Sequence, residues 1–533
     1  MRRVLQSTFI ALVCIACVSV NAASWSEIRN QSNRVNGFIP YQVSNSQGKI
    51  WLEVSEFEQP FIMFTGLPYG IGSNDIGLDR GQIGQSRLVQ FEKYGDKIFL
   101  KQLNTRYRAD TDNQAERSSV EQAFASSVLH GFKVEARSGK RHLIDMTPFL
   151  LQDLHGVSKR LQATNQGSYS VDGTRSALVT DSSKNFPKNT VFEAILTFKG
   201  SNPGEYVRQV TPSPEAITVQ QQLQFVALPD EGYQPRKFHP KSGFFELTYA
   251  DYATPLTENI EKKLIYRHRI TRDKDGNIEP ITYYLDPGAP EPVRTALLDG
   301  AKWWADAFEA AGLEGAYEVK VLPEDADPLD VRYNVIQWVH RATRGWSYGM
   351  AMADPRTGEI LKGHVTLGSL RVRQDLLIAN ALTGSATSDE KQQKALDMAL
   401  ARIRQLSAHE VGHTLGIAHN FSASANNRAS VMDYPHPLVT LNNGDISLAN
   451  AYAEGIGRWD IEAVRYGYSE FEADKEAQAL RDIVRDTSAK GLFFISDPDA
   501  RPQGGMGQLE RDEAGQRRHL PDLLDEPPSG PTG

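Results

Sequence analysis

Cysteine is nearly absent: the chain has two in 533 residues, Cys14 and Cys17. Both fall within residues 1–22, which read as an export leader. A mature chain would then hold no cysteine and no disulfide, so its core alone must stabilise it. Long apolar runs are scarce as well. Past residue 20 no stretch approaches the roughly 18 apolar residues of a spanning helix, so no membrane span is expected in the mature chain. An excess of basic residues is the third absence. There are 58 Lys and Arg against 66 Asp and Glu, for a net charge of −8. No basic cluster with interleaved aromatics appears, which argues against nucleic acid as a partner.

The leader reading rests on Arg2 and Arg3, an apolar stretch over residues 9–20, and small residues at −3 and −1 in Val20-Asn21-Ala22. It implies export, to the periplasm or the medium. A retained N-terminal anchor is the competing reading. Cys17 as a lipoprotein site is a poorer one, since the usual leucine is missing before it. Loss of Arg2 and Arg3 would take the net charge from −8 to −10.

Hydrophobic residues at 40% and charged residues at 23% are ordinary for a soluble globular protein, and 533 residues suffice for more than one domain. Residues 35–255 read as mostly strand. Ile50, Leu52 and Val54 alternate with polar partners. Residues 88–100 read as a hairpin turning at Gly95-Asp96, and 191–198, 216–226 and 244–249 as further strands. The polar run Thr271-Arg272-Asp273-Lys274-Asp275-Gly276-Asn277 marks an expected boundary. An α+β chain follows: a β-rich N-terminal domain over 23–275, then an α/β domain over 276–500. Polar, Gly/Pro-rich sequence over 501–533 is expected to be a disordered tail.

In the second domain, 281–285, 317–322, 333–339 and 365–372 read as strands. Val293, Leu297, Ala301, Trp304, Phe308 and Ala311 recur at helical spacing, closed by Gly312. Ser388, followed by Asp389 and Glu390, is a helix N-cap. Ala395, Leu396, Ala399, Ile403 and Leu406 form the buried stripe of that helix and lead into His409.

There the sequence reads His409-Glu410-Val411-Gly412-His413-Thr414-Leu415-Gly416-Ile417-Ala418-His419, or H-E-x-x-H-x-x-G-x-x-H. His409 and His413 sit one helical turn apart on one face, so both imidazoles reach one metal. Gly416 permits a left-handed turn that swings in His419 as third ligand. Three protein ligands leave the fourth position of a Zn2+ site to water, and Glu410 is placed to act as general base. On composition, the full pattern arises by chance in about one such chain in ten thousand. His436 reads as a loop histidine, and no role follows for His364. The Trp303-Trp304 pair reads as packing.

Ser430-Val431-Met432-Asp433-Tyr434 comes soon after His419. A three-histidine zinc motif followed by a methionine-bearing turn resembles the metzincin metallopeptidases. The resemblance implies that Met432 forms an apolar floor beneath the ligands. It also implies that Tyr434 matches the tyrosine which astacin- and serralysin-like enzymes swing toward the metal, where it stabilises an oxyanion. His419-Asn420-Phe421, residues 354–360 and residues 459–468 look like exported bacterial zinc-dependent metalloproteases with a large N-terminal domain of obscure role. Asn420 stands where astacins carry glutamate. The expected function is a zinc metalloendopeptidase acting on proteins or peptides outside the cytoplasm. The rival is an exported binding or inhibitory module with a non-catalytic zinc site. The N-terminal domain could be a propeptide, a docking surface or a scaffold, and the oligomeric state is unreadable.

Overall fold

The computed structural model describes residues 24–342, 346–384 and 388–500. The expected leader and tail lie outside them.

The N-terminal half is built on a 13-stranded sheet. Its longest ladder pairs Asn189–Ser201 with Ala216–Val226, antiparallel from Asn189↔Val226 to Lys199↔Ala216. Alternating aromatics supply the core on one face. Phe61 meets Phe225 edge-on at 5.0 Å, and Phe192 meets Tyr41 at 5.3 Å. The expected hairpin is present, with Arg87–Tyr94 and Lys97–Gln102 joined at Gly95-Asp96 and Gly95 at φ 63°.

The C-terminal half carries a six-stranded sheet. Arg267–His268, Glu359–Gly368, Asn334–Val339, Ile281–Leu285 and Tyr317–Val321 run parallel in that order. Tyr348–Ala353 lies antiparallel along the outside of Glu359–Gly368. The helical spacing from Val293 is realised as two pieces, Val293–Lys302 and Trp304–Ala310. The expected strand over 365–372 is half right. The strand ends at Gly368, and the helix Leu370–Thr383 begins two residues later. Val365 and Leu367 are buried in the sheet, whereas Val372 follows helical packing against the core.

Packing does not change at the expected boundary near residue 275. Phe244 and Ile265 belong to the same core as Trp304, Val411 and Met432. The strand Arg267–His268 is part of the C-terminal sheet. The halves also lock together elsewhere. Asn189 donates to the Leu329 carbonyl (2.9 Å) and accepts from Val331 N (3.1 Å). Arg341 pairs with Asp79 at 2.6 Å, with both side chains almost fully buried. Removing one partner of such a pair leaves an uncompensated buried charge. Asp79→Ala should therefore lower stability by about 3–5 kcal/mol, read as a shift of the first unfolding transition in urea. Glu390→Ala, which removes the solvent-exposed Glu390–Lys394 pair, should leave that transition in place.

Candidate metal centre

The helix Asp389–Thr414 is long, and its last two turns are buried. Ser388 caps its start, accepting from Lys391 N at 3.4 Å. Ala395, Ala399, Ile403 and Leu406 pack inward as their spacing requires. Two contacts fix the ligand-bearing end. Ser407 Oγ donates to the Leu297 carbonyl (2.7 Å), and Trp304 Nε1 donates to the Ala408 carbonyl (2.7 Å). Where this helix meets Val293–Lys302, Gly300 lies against the Arg404 backbone so closely that a Cβ would collide.

The helix stops after Thr414. Gly416 adopts φ +92°, and a Cβ there would collide with the Tyr266 carbonyl. A short bridge then holds the chain. Phe245 N donates to the Gly416 carbonyl (2.9 Å), and Ala418 N donates to the Gly243 carbonyl (2.8 Å). His419 arrives in a fixed place.

His409, His413 and His419 converge as the motif requires, and all three are buried. His413 Nε2 lies 3.2 Å from His409 Nε2 and 3.1 Å from His419 Nε2. The Nδ1 atoms are engaged elsewhere. His409 Nδ1 faces the Val431 carbonyl (2.8 Å) and His413 Nδ1 the Ile417 carbonyl (2.9 Å). His419 Nδ1 faces the Asp497 carboxylate (3.0 and 3.1 Å). These acceptors suit a proton on Nδ1 and turn each Nε2 toward the shared point. Ligand nitrogens of tetrahedral zinc, each about 2.0–2.1 Å from the ion, lie about 3.3 Å apart. The donor set and spacing thus fit zinc. Burial and the two neighbouring rings push His409 well below its ordinary range, so it is neutral and ready to coordinate.

Glu410 is 3% exposed, and its Oε2 has no hydrogen-bond partner among the described residues. Burial pushes its carboxyl up to about 8, against the pull of Arg402, Arg341 and Arg371. The Gly349 backbone amide faces it. Gly349 belongs to the edge strand Tyr348–Ala353, which crosses the helix so closely that a Cβ would collide with the Glu410 carbonyl.

Met432 is fully buried against Gly412 of the ligand-bearing helix. A Cβ on Gly412 would collide with its sulfur and would lie 2.7 Å from the Trp304 ring. Gly412, between the two helical histidines, is what lets the floor approach. Tyr434 reaches the same point as the ligands, with its hydroxyl 2.9 Å from His419 Nε2. Burial, and then the Glu410 charge, push its ionisation well above the usual tyrosine range, so it stays a hydroxyl donor. His364 is half-buried on the strand Glu359–Gly368 beside Gly81 of the N-terminal half, and His436 is exposed in its loop. Neither joins the cluster.

Two carboxylates were not found from the sequence. Asp460, in the first turn of Arg458–Tyr468, accepts from Ser430 Oγ (2.5 Å), Val431 N (2.8 Å) and Gly457 N (2.9 Å), and so shapes the methionine turn. Burial pushes it up to about 7 despite these three bonds. Asp497 lies in irregular chain after the last helix. The acidic start of Arg458–Tyr468 was a readable capping signal for Asp460, whereas no spacing rule leads to Asp497.

Comparison with known proteins agrees with this geometry. Residues 391–523 match the family described as Met-zincin. Residues 81–273 match a domain of unknown function, DUF5117. No curated protein matches the chain. The C-terminal part of the chain is a Met-zincin domain with a three-histidine group suited to zinc.

In the metal-free chain Glu410, held up to about 8, carries its proton at pH 7. A divalent cation beside it favours the carboxylate, so zinc loading at pH 7 expels that proton. Calorimetry in buffers of different ionisation enthalpy should count about one fewer proton released for Glu410→Gln than for the wild-type chain.

Proposed function

We propose that this protein is a zinc-dependent metalloendopeptidase that hydrolyses peptide bonds of proteins or peptides outside the cytoplasm. One observation carries the reading. Three Nε2 lone pairs converge beside a buried carboxylate whose Oε2 has no partner among the described residues. A site built only to hold a metal needs no such carboxylate. The basic start and apolar stretch of residues 1–22, expected from sequence to form a leader, are what supports export to the periplasm or the medium.

His409, His413 and His419 would hold the ion. Bound zinc supplies Lewis acidity, which polarises the scissile carbonyl and acidifies water. Glu410 takes the proton from the attacking water and returns it to the leaving amine. The Tyr434 hydroxyl donates to the developing oxyanion. Met432 keeps the ligand cradle dry and rigid. Among the described residues, Tyr348–Ala353 pairs with the sheet along one side only, which suits it to take an extended substrate by backbone hydrogen bonds on the other. Met352 on this strand packs against Ile62, Phe64 and Ile83 of the N-terminal half. That half therefore serves as a scaffold for the substrate strand. A propeptide removed at residue 275 would take Phe244, Phe245 and Tyr266 away from the Gly416 turn.

Glu410→Ala should keep zinc and lose about 10²–10⁴-fold in kcat/KM on casein or a peptide library. Tyr434→Phe should lose about 10²–10³-fold, mainly in kcat. A Glu410→Ala protein cleaving at the wild-type rate would overturn the assignment. A wild-type chain that binds zinc yet cleaves no peptide would favour the binding module.

A further inference from the structure

His419 is held differently from the other two ligands. His409 and His413 lie on a rigid helix, and their Nδ1 atoms face neutral backbone carbonyls within the same structural unit. His419 stands on irregular chain past the Gly416 turn, where no helix sets its side-chain direction. Its Nδ1 partner is a carboxylate 78 residues further on.

That carboxylate is itself fixed without help from the histidine. The chain after the helix Glu476–Ala489 returns along the loop that follows His419. Phe421 N donates to the Ile495 carbonyl (2.9 Å), and Ile495 N donates to Asn420 Oδ1 (3.2 Å). Asn420 Nδ2 donates to the Phe493 carbonyl (3.0 Å), and Asn426 Nδ2 donates to the Gly491 carbonyl (2.6 Å). Phe494 stacks on Trp459 at 5.5 Å, 5° from parallel. These contacts deliver Asp497, 4% exposed, to the far nitrogen of the third ligand. They also give Asn420 a purpose. Its amide ties the ligand loop to the returning segment.

We propose that Asp497 is a positioning residue for the third zinc ligand, and that segment 491–497 completes the metal centre. This rests on the zinc reading of the site. The carboxylate fixes the Nδ1–H tautomer of His419 and aims Nε2 at the ion. Such outer partners typically change metal affinity by about 10–100-fold.

The test is zinc affinity, measured by chelator competition on the full chain for wild type, Asp497→Ala and Asp497→Asn. Thermal midpoints with excess chelator report the metal-free fold. Asp497→Ala should bind zinc about 10–100-fold more weakly. Asp497→Asn keeps an acceptor for Nδ1–H and should fall between it and wild type. In the cobalt(II)-loaded proteins the d–d bands should change in Asp497→Ala while the metal-free midpoint holds. An affinity for Asp497→Ala within about twofold of wild type, or equal losses in the two variants, overturns the proposal. If Asp497→Ala does not fold, the near-isosteric Asp497→Asn decides. A loss of about threefold or more supports the role, and unchanged affinity overturns it. A wild-type chain that binds no zinc would defeat the reading of the whole site, which is a separate result from wild-type binding with indifferent variants.

Discussion

Three imidazole nitrogens turned toward one point form a donor set spaced to hold a single divalent cation. The rest of the C-terminal half is organised to hold that arrangement. Each ring is anchored at its far nitrogen. The helix beneath the first two is pinned by Ser407 and Trp304. The turn before the third is possible because Gly416 accepts a positive φ and leaves room for the Tyr266 carbonyl. The ligand geometry is thereby set by the surrounding fold.

The two halves of the chain are not joined as independent bodies. Residues just ahead of the expected boundary brace the Gly416 turn and extend the C-terminal sheet. The buried Asp79–Arg341 pair sits next to the start of the edge strand, where the Tyr348 hydroxyl also donates to Asp79 (3.2 Å). The position of Gly349 over Glu410 thus depends on side chains from both halves. The region matching the domain of unknown function reaches to residue 273, and its last part packs as C-terminal core. A polar, charged run such as residues 271–277 marks a surface turn, the short hairpin Thr271–Arg272 with Ile278–Glu279. Composition alone does not separate a turn of that kind from a linker.

Local chemistry was readable and long-range pairing was not. The helix start at Ser388, the buried stripe, the histidine spacing and the Gly416 break follow from rules spanning a few residues, and all appear. The strand 281–285 and the hairpin at Gly95-Asp96 were equally local. The edge strand Tyr348–Ala353 carries one glycine, two alanines and two methionines, with no β-branched residue. It forms because the sheet offers a partner. The strand expected through Val372 overran for the opposite reason: apolar residues continue, but the period changes from strand to helix. Gly412 falls at an unspecified position of the motif, and only the Met432 sulfur and the Trp304 ring against it reveal why a side chain is excluded.

The two unforeseen carboxylates divide the work of orienting the ligands. Asp460 gathers Ser430 Oγ and the amides of Val431 and Gly457, and so fixes the peptide whose carbonyl, on Val431, accepts from His409 Nδ1. The same carbonyl accepts from Gln405 Nε2 (2.8 Å), one turn earlier on the zinc helix, and Arg402 in turn bonds Gln405. Asp460 thus acts on the first ligand through the methionine turn, at one remove from the ring. Asp497 meets the third ligand directly. The difference follows from where each histidine stands. A ring on a well-packed helix needs only its rotation set, which a neutral carbonyl accomplishes. A ring on irregular chain needs both position and rotation, and a charged acceptor on an independently anchored segment provides both. Helix and loop ligands are thus held by unequal means, and the loop ligand's partner lies farthest away in sequence.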